Sequence, residues 1–238
     1  MTKIITFLFA YFIGISASFA QVSHSGAMSQ MAKSGFESTI RLDSLKDHKG
    51  LIGLGPLGKM EGEITILNGE IYSGKSLISG QTTVENDWEV EAPFLVYAQV
   101  KNWKKYNLSG TASSIQELEE AIKQAAISNG IDVAEPFFFK VEGVFEDMTT
   151  HIVTPRSQAV EGFVQGQNQK NLTHLSQSGQ LIGVYSTIGQ RIYTHHDSFM
   201  HVHFLNKKKN YTGHLDRFQG DLSRLSIFFP QDRVQIKQ

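Results

Sequence analysis

Cysteine is absent from the 238 residues, which excludes disulfides, zinc–thiolate sites, iron–sulfur clusters and a cysteine nucleophile. Any metal must then be held by imidazoles and carboxylates, and nine histidines are available. An excess of one charge is missing too. With 22 Lys+Arg against 23 Asp+Glu the formal net charge is -1, which leaves no basic footprint for nucleic acid. After residue 20 no run is long and apolar enough to enter a membrane, and no internal repeat is visible. What the chain does have is a 40% hydrophobic content with only 19% charged residues. That favours a packed globule over a disordered chain, and the length suits one domain or two small ones.

The first twenty residues differ from the rest. Lys3 gives a short positive start, residues 4–15 are almost wholly apolar, and Ser16-Ala-Ser18-Phe-Ala20 offers small residues for a signal peptidase. The apolar run falls short of the roughly 20 residues a spanning helix needs. Residues 1–20 therefore read as a secretory signal cleaved after Ala20, with no cysteine behind it for lipid attachment. The mature protein is expected to begin at Gln21, in a periplasm or outside the cell, with no membrane partner. Residues 21–50 are rich in Ser, Gly, Lys and His. Their apolar residues Met28, Met31, Phe36, Ile40, Leu42 and Leu45 are scattered, so a poorly structured segment is expected ahead of a domain over 51–238.

From Leu51 the pattern is mostly short strands. Residues 63–72 alternate apolar and polar around Asn68-Gly69, the strongest short-range hairpin signal. Further strands are expected over 94–100, 137–145, 181–187, 200–205 and 225–229. One helix stands out: Ser114-Ile-Gln-Glu117 has capping-box spacing, Ile115, Leu118, Ile122, Ala125 and Ala126 share a face, and Asn129-Gly130 ends the run. Glu119, Glu120 and Lys123 then form its solvated face. Residues 165–180, rich in Gln, Asn and Ser, read as an exposed loop. Many strands with one good helix and no βαβ alternation give an α+β fold.

The chemistry concentrates in Met200-His201-Val-His203 and Gly213-His214. Strand residues two apart share a face, so His201 and His203 point one way while Val202 and Phe204 face the core. The polar run 206–210 must turn, and a turn centred between Lys208 and Lys209 sets His214 opposite His203 on a β-hairpin. Three neutral imidazoles there suit Zn2+ and leave a fourth position open, as in catalytic sites. His195 and His196 are adjacent, face opposite sides, and read as loop. His24, His48 and His174 sit in polar surroundings and read as solvated.

At these residues the sequence resembles the alpha-acetolactate decarboxylases. The resemblance rests on His201-Val-His203 with Gly213-His214, on Gly53-Leu-Gly55-Pro-Leu-Gly-Lys-Met-Glu61-Gly62-Glu63, and on Pro136-Phe-Phe-Phe-Lys-Val-Glu142-Gly143-Val-Phe145. The three pieces occur in the family's order and approximate spacing. The resemblance implies a fold in two parts with mixed β-sheets and few helices, zinc on His201, His203 and His214, and conversion of 2-acetolactate to acetoin and carbon dioxide. It also implies Glu63 as the catalytic acid, while His151 stands where the family has an active-site Arg, Pro56 where it has a Thr, and no residue matches its C-terminal Glu.

The residue types make chemical sense without the family. A 2-hydroxy-3-oxo acid can chelate a metal that stabilises the charge left when carbon dioxide departs, and a nearby carboxyl can deliver the proton. The expected partner is thus a small-molecule substrate; a homodimer is the one assembly left open. Two other readings remain at this point: an exported noncatalytic metal-site protein that binds a small hydroxy-keto acid, and a zinc hydrolase using metal hydroxide.

Overall fold

In the computed structural model, which describes residues 21–155, 163–164 and 168–231, the chain forms sixteen strands and two α-helices among the described residues. The first half carries β1 (Ser23–Ser25), α1 (Met28–Met31), β2 (Ile40–Arg41), β3 (Leu51–Pro56), β4 (Glu63–Leu67), β5 (Glu70–Ser76), β6 (Thr82–Glu85), β7 (Glu91–Ala92) and β8 (Leu95–Gln99). The second half carries β9 (Trp103–Asn107), β10 (Thr111–Ala112), α2 (Ile115–Ser128), β11 (Phe137–Val153), β12 (Phe163–Val164), β13 (Gln169–Tyr185), β14 (Met200–Asn206), β15 (Thr212–Asp221) and β16 (Ser226–Pro230). The reading of residues 1–20 as a signal lies outside the described residues.

The halves make separate sheets. One has six strands in the order β1-β8-β3-β4-β5-β6; the other has eight, in the order β10-β15-β14-β13-β11-β16-β9 with β12 on β13. In the larger sheet β15 pairs with β11 as well as β14, so β11, β13, β14 and β15 close a ring of pairings. An α+β fold in two parts with few helices is what the structure shows. The expected mixed pairing needs correction: every pairing between named strands is antiparallel. The reason is connectivity, since neighbouring strands are joined largely by hairpins and α2 does not bridge two parallel strands.

Local chemistry sets several of these elements. Asn68 and Gly69 have φ of 54° and 82°, the two positive values of a two-residue hairpin turn, and Leu67 pairs with Glu70 across it. The Ser114 side chain accepts from the Glu117 N–H at 3.1 Å, while the Glu117 carboxylate accepts from the Ser113 N–H at 2.7 Å, closing the start of α2. Leu118, Ile122 and Ala126 are buried on its inner face. Glu119 is not simply solvated, because it accepts from Ser198 Oγ at 2.6 Å and the Phe199 N–H at 2.9 Å, fixing the entrance to β14.

Strand bounds also differ from expectation. The Gln/Asn/Ser-rich stretch is strand over Gln169–Tyr185 rather than loop, paired along its length with β11. Its polar side chains remain compatible with a strand because alternate positions are exposed, as at Asn171, Thr173 and Leu175, while Leu172 packs against the core. β11 likewise continues past Phe145 to Val153, with a register shift against β15 between Thr149 and Thr150. The segment 21–50 contributes only short elements, yet Leu42 and Leu45 are buried against Ile64, Ile66 and Leu95 on the outer face of the six-stranded sheet.

Between the sheets lies a second apolar cluster, with Leu54, Phe94 and Val96 from one side and Phe138, Ile182 and Val184 from the other. A third joins α2 to the eight-stranded sheet and includes Phe145, Phe204 and Phe218 in edge-to-face contact. Close approach of the sheets requires Gly74: a Cβ there would lie 2.5 Å from the Thr212 carbonyl oxygen. Among the described residues no helix is long and apolar enough to cross a membrane.

Candidate active site

Val202 and Phe204 of β14 point into the core around α2, which turns His201 and His203 toward the six-stranded sheet. Asn206 Oδ1 accepts from the N–H groups of Asn210 and Tyr211 and holds the turn that follows. That turn sets His203 opposite His214, and β15 in turn sets His214 opposite His151 of β11. Three histidines thus stand abreast on three paired strands. Ring centroids are 4.9 Å apart for His201–His203, 5.1 Å for His201–His214, 5.7 Å for His203–His214 and 4.8 Å for the stacked His151–His214 pair.

The six-stranded sheet supplies the facing groups. Ile64 and Ile66 of β4 are packed in its outer cluster, so Glu63 and Thr65 point inward. Glu63 is buried, with Oε2 at 3.6 Å from His203 Nε2, Oε1 at 3.7 Å from His151 Nε2, and Oε1 accepting from the Val153 N–H at 3.3 Å. Thr65 Oγ1 lies 3.1 Å from His203 Nδ1 and 2.6 Å from Thr212 Oγ1. On the far side of His151, its Nδ1–H donates to Asp216 Oδ1 at 2.7 Å.

Burial decides the charge states. It pushes the Glu63 carboxyl up to about 8, against the opposing effects of the His151 charge and the Val153 hydrogen bond. Burial also takes His203 down to about 3 and, with repulsion among the imidazoles, holds His201 and His214 well below the usual range. His151 goes the other way. Burial alone would lower it, but the Asp216 hydrogen bond and the charges of Glu63 and Asp216 outweigh that and raise it. The cluster therefore presents neutral imidazoles beside a carboxyl that holds its proton near neutral pH.

These residues fit a metal ion. Both ring nitrogens of His214 are buried without a hydrogen-bond partner, a costly state for a polar group that coordination of one nitrogen would relieve. His201 Nε2 and His203 Nε2 are 3.1 Å apart, close to the roughly 3.3 Å separating two ligands of a tetrahedral ion with bonds of about 2.0–2.1 Å. A second set shares His214: one ligand atom each from His151, His214 and Asp216 lie within 4.8 Å of one another. In that set, however, the His151 Nδ1–Asp216 hydrogen bond already uses two polar groups on each other.

All five sequence-predicted residues, Glu63, His151, His201, His203 and His214, meet in this one region. Other members were not anticipated. Asp216 follows His214 by two positions on the same strand, a spacing that could have found it, whereas Thr65 reaches His203 only because the sheets face each other. His195 does lie in a loop, but its ring is 5.3 Å from that of His214 and 6.4 Å from that of His201. His174 is not solvated: half-buried, it bonds Thr150 Oγ1 at 2.8 Å and packs on Tyr211. A cavity of about 520 Å³ beside Glu142, Gln180 and Lys207 lies apart from this cluster and is lined by no imidazole.

A protonated carboxyl shut in with neutral imidazoles between two sheets is equipment for moving a proton. The family described as Alpha-acetolactate decarboxylase matches residues 21–233, and the chain belongs to that family and is a carboxy-lyase. It is 26% identical over 208 residues to the alpha-acetolactate decarboxylase of Lactococcus lactis subsp. lactis (strain IL1403), covering 83% of each chain. The enzyme of Lactococcus lactis subsp. cremoris (strain MG1363) is likewise 26% identical over 212 residues, with the same coverage. The fold is shared with the alpha-acetolactate decarboxylase of Bacillus subtilis strain 168, with TM-score 0.66 and 17% identity over 90% of this chain and 87% of that one. The acetolactate decarboxylase of Bacillus subtilis subspecies spizizenii gives 0.67 and 18%, over 91% and 89%.

Proposed function

We propose that the protein catalyses metal-dependent decarboxylation of 2-acetolactate to acetoin and carbon dioxide, with Zn2+ held by His201, His203 and His214. The observation that carries this is the buried cluster itself, in which neutral imidazoles stand together on paired strands and one of them, His203, lies 3.6 Å from a carboxyl held in its protonated form. A divalent ion there would supply Lewis acidity, drawing electron density from adjacent substrate oxygens as carbon dioxide leaves. The chain's own groups do the rest. Glu63 holds a proton near neutral pH and delivers it to the substrate carbon that has lost carbon dioxide, and enclosure between the sheets keeps bulk water from competing. His151, anchored by Asp216, stands beside Glu63 Oε1 and passes it the next proton.

Acetoin formation by the purified protein with zinc tests the reading. Glu63→Gln is expected to keep the metal while turnover falls by about two or more powers of ten, since acid–base catalysis goes and the ligands stay. Unchanged turnover would remove Glu63 from the acid role. Loss of residues 1–20 on export is part of the same proposal, and mass analysis of extracellular or periplasmic protein that retained Met1 would refute it.

A further inference from the structure

The substrate proposed above is an anion that must reach residues buried between the sheets. His151, which could face it, already bonds Asp216 through Nδ1 at 2.7 Å and lies 3.7 Å from Glu63. A carboxylate entering beside it would meet Glu63 and Asp216 as well. A cation on the way in would receive the anion first.

His195 shows where that is. One side of its ring packs toward His201 and His214, and its other surroundings form an open cavity of about 300 Å³ that also includes Arg191, Thr194, Met28 and Met31. That volume lies at the lower end of the roughly 300–1,000 Å³ typical of small-molecule sites. No carboxylate lines this cavity, and among the described residues the Arg191 guanidinium has no carboxylate partner. The backbone of Arg191 is also held in place. Its N–H donates to the Thr194 carbonyl at 2.8 Å, its carbonyl accepts from the Ser29 N–H at 2.9 Å, and its φ of 68° is a left-handed value that a non-glycine residue keeps only under constraint. The N-terminal helix α1 thereby brings two methionine side chains to the same cavity as the exposed guanidinium of Arg191.

We infer that Arg191 binds the carboxylate of the incoming substrate at the mouth of the site, with Met28 and Met31 against its methyl groups. The ligand class is a short, branched hydroxy-keto acid: one anionic end for a guanidinium, a small apolar end for the methionines, and adjacent oxygens for the cluster behind His195. Arg191 is thus a specificity-determining residue. The inference rests on the decarboxylase reading for its substrate but not for its anion site.

The test uses the full chain supplied with zinc, in wild-type, Arg191→Gln and Arg191→Lys forms. Steady-state kinetics with 2-acetolactate is paired with calorimetry using 2-hydroxyisobutyrate, an acid that lacks the keto group, and the uncharged ketol 3-hydroxy-3-methylbutan-2-one. Arg191→Gln is expected to raise KM about tenfold or more with kcat held within about threefold, and to weaken 2-hydroxyisobutyrate to a similar degree. The neutral ketol and the zinc content should not change, and Arg191→Lys should restore part of the loss. Unaltered KM and acid binding in Arg191→Gln would overturn the inference, as would an equal loss for the neutral ketol. A wild type that makes no acetoin, yet binds 2-hydroxyisobutyrate through Arg191, would retire the decarboxylase reading and uphold the anion site. A wild type that neither turns over nor binds the acid would overturn both.

Discussion

The two sheets contribute to the site in different ways. The eight-stranded sheet brings nitrogen: His203, His214 and His151 come from three adjacent, registered strands, and His201 stands two residues away on one of them. The six-stranded sheet brings oxygen, with Glu63 and Thr65 both from β4. Nitrogens that share one ion must keep their spacing, and hydrogen-bonded neighbours in a sheet do that. A carboxyl that has to retain its proton needs enclosure, and a second sheet laid over the first provides it. Binding geometry thus belongs to pairing within a sheet, and the state of the acid belongs to packing between sheets.

The largest effect should come from breaking the nitrogen side. His203→Ala is expected to remove bound zinc, measured by metal analysis, and to abolish acetoin formation with it, because two of the three nitrogens cannot hold the ion in competition with water. Full occupancy in this variant would point instead to the set of His151, His214 and Asp216.

The link between the sheets is next. In the arrangement that leaves His203 Nε2 free to bind an ion, its Nδ1–H donates to Thr65 Oγ1 and the Thr65 O–H donates to Thr212. Thr65→Val keeps the shape and deletes the acceptor. Zinc affinity in a chelator titration should fall by about 10–100-fold, and no change would mean that the six-stranded sheet does not orient the ligand.

Gly74→Ala probes the same interface without removing a polar group. The new methyl would meet the Thr212 carbonyl oxygen at 2.5 Å and its Cγ2 at 2.8 Å, and a loss of about 1–3 kcal/mol is expected in denaturant unfolding. An unchanged midpoint would show that the sheets can separate there at no cost.

The smallest effect is a pH slope in the metal-free protein. A carboxyl whose folded pKa is raised to about 8 binds its proton more tightly folded than unfolded, so its contribution is complete at low pH and is lost as pH rises through about 8. The depressed imidazoles act in the opposite sense, but only below their ordinary value near 6.5. His151, whose pKa is also raised, acts in the same sense as Glu63. Between about pH 6.5 and 8 the melting temperature of the wild type should therefore fall, and Glu63→Gln should make that fall shallower. Parallel slopes in the two proteins would place the proton elsewhere.

Much of this was legible in the chain. Asn68-Gly69 announced its hairpin, Ser114 to Gly130 its helix, and the alternation around His201 with the polar turn after Asn206 gave the register that pairs His203 with His214. All of these are local, set by turn conformations, caps and the two-residue period of a strand. The polar first part of the long strand, Gln169 to Gln180, was not legible, because a polar surface strand is specified by its neighbour β11 and carries little apolar pattern of its own. Nor could sequence show that Asp216 would fix His151, that Thr65 would reach His203 from 138 residues away, or that Glu63 would be buried deeply enough to keep its proton. Sequence by itself determined which nitrogens share a strand face, since that follows from backbone geometry over a few residues. Only the tertiary structure decided what those nitrogens face and which groups are charged, because desolvation and contact between two separate sheets depend on packing that no short stretch of chain encodes.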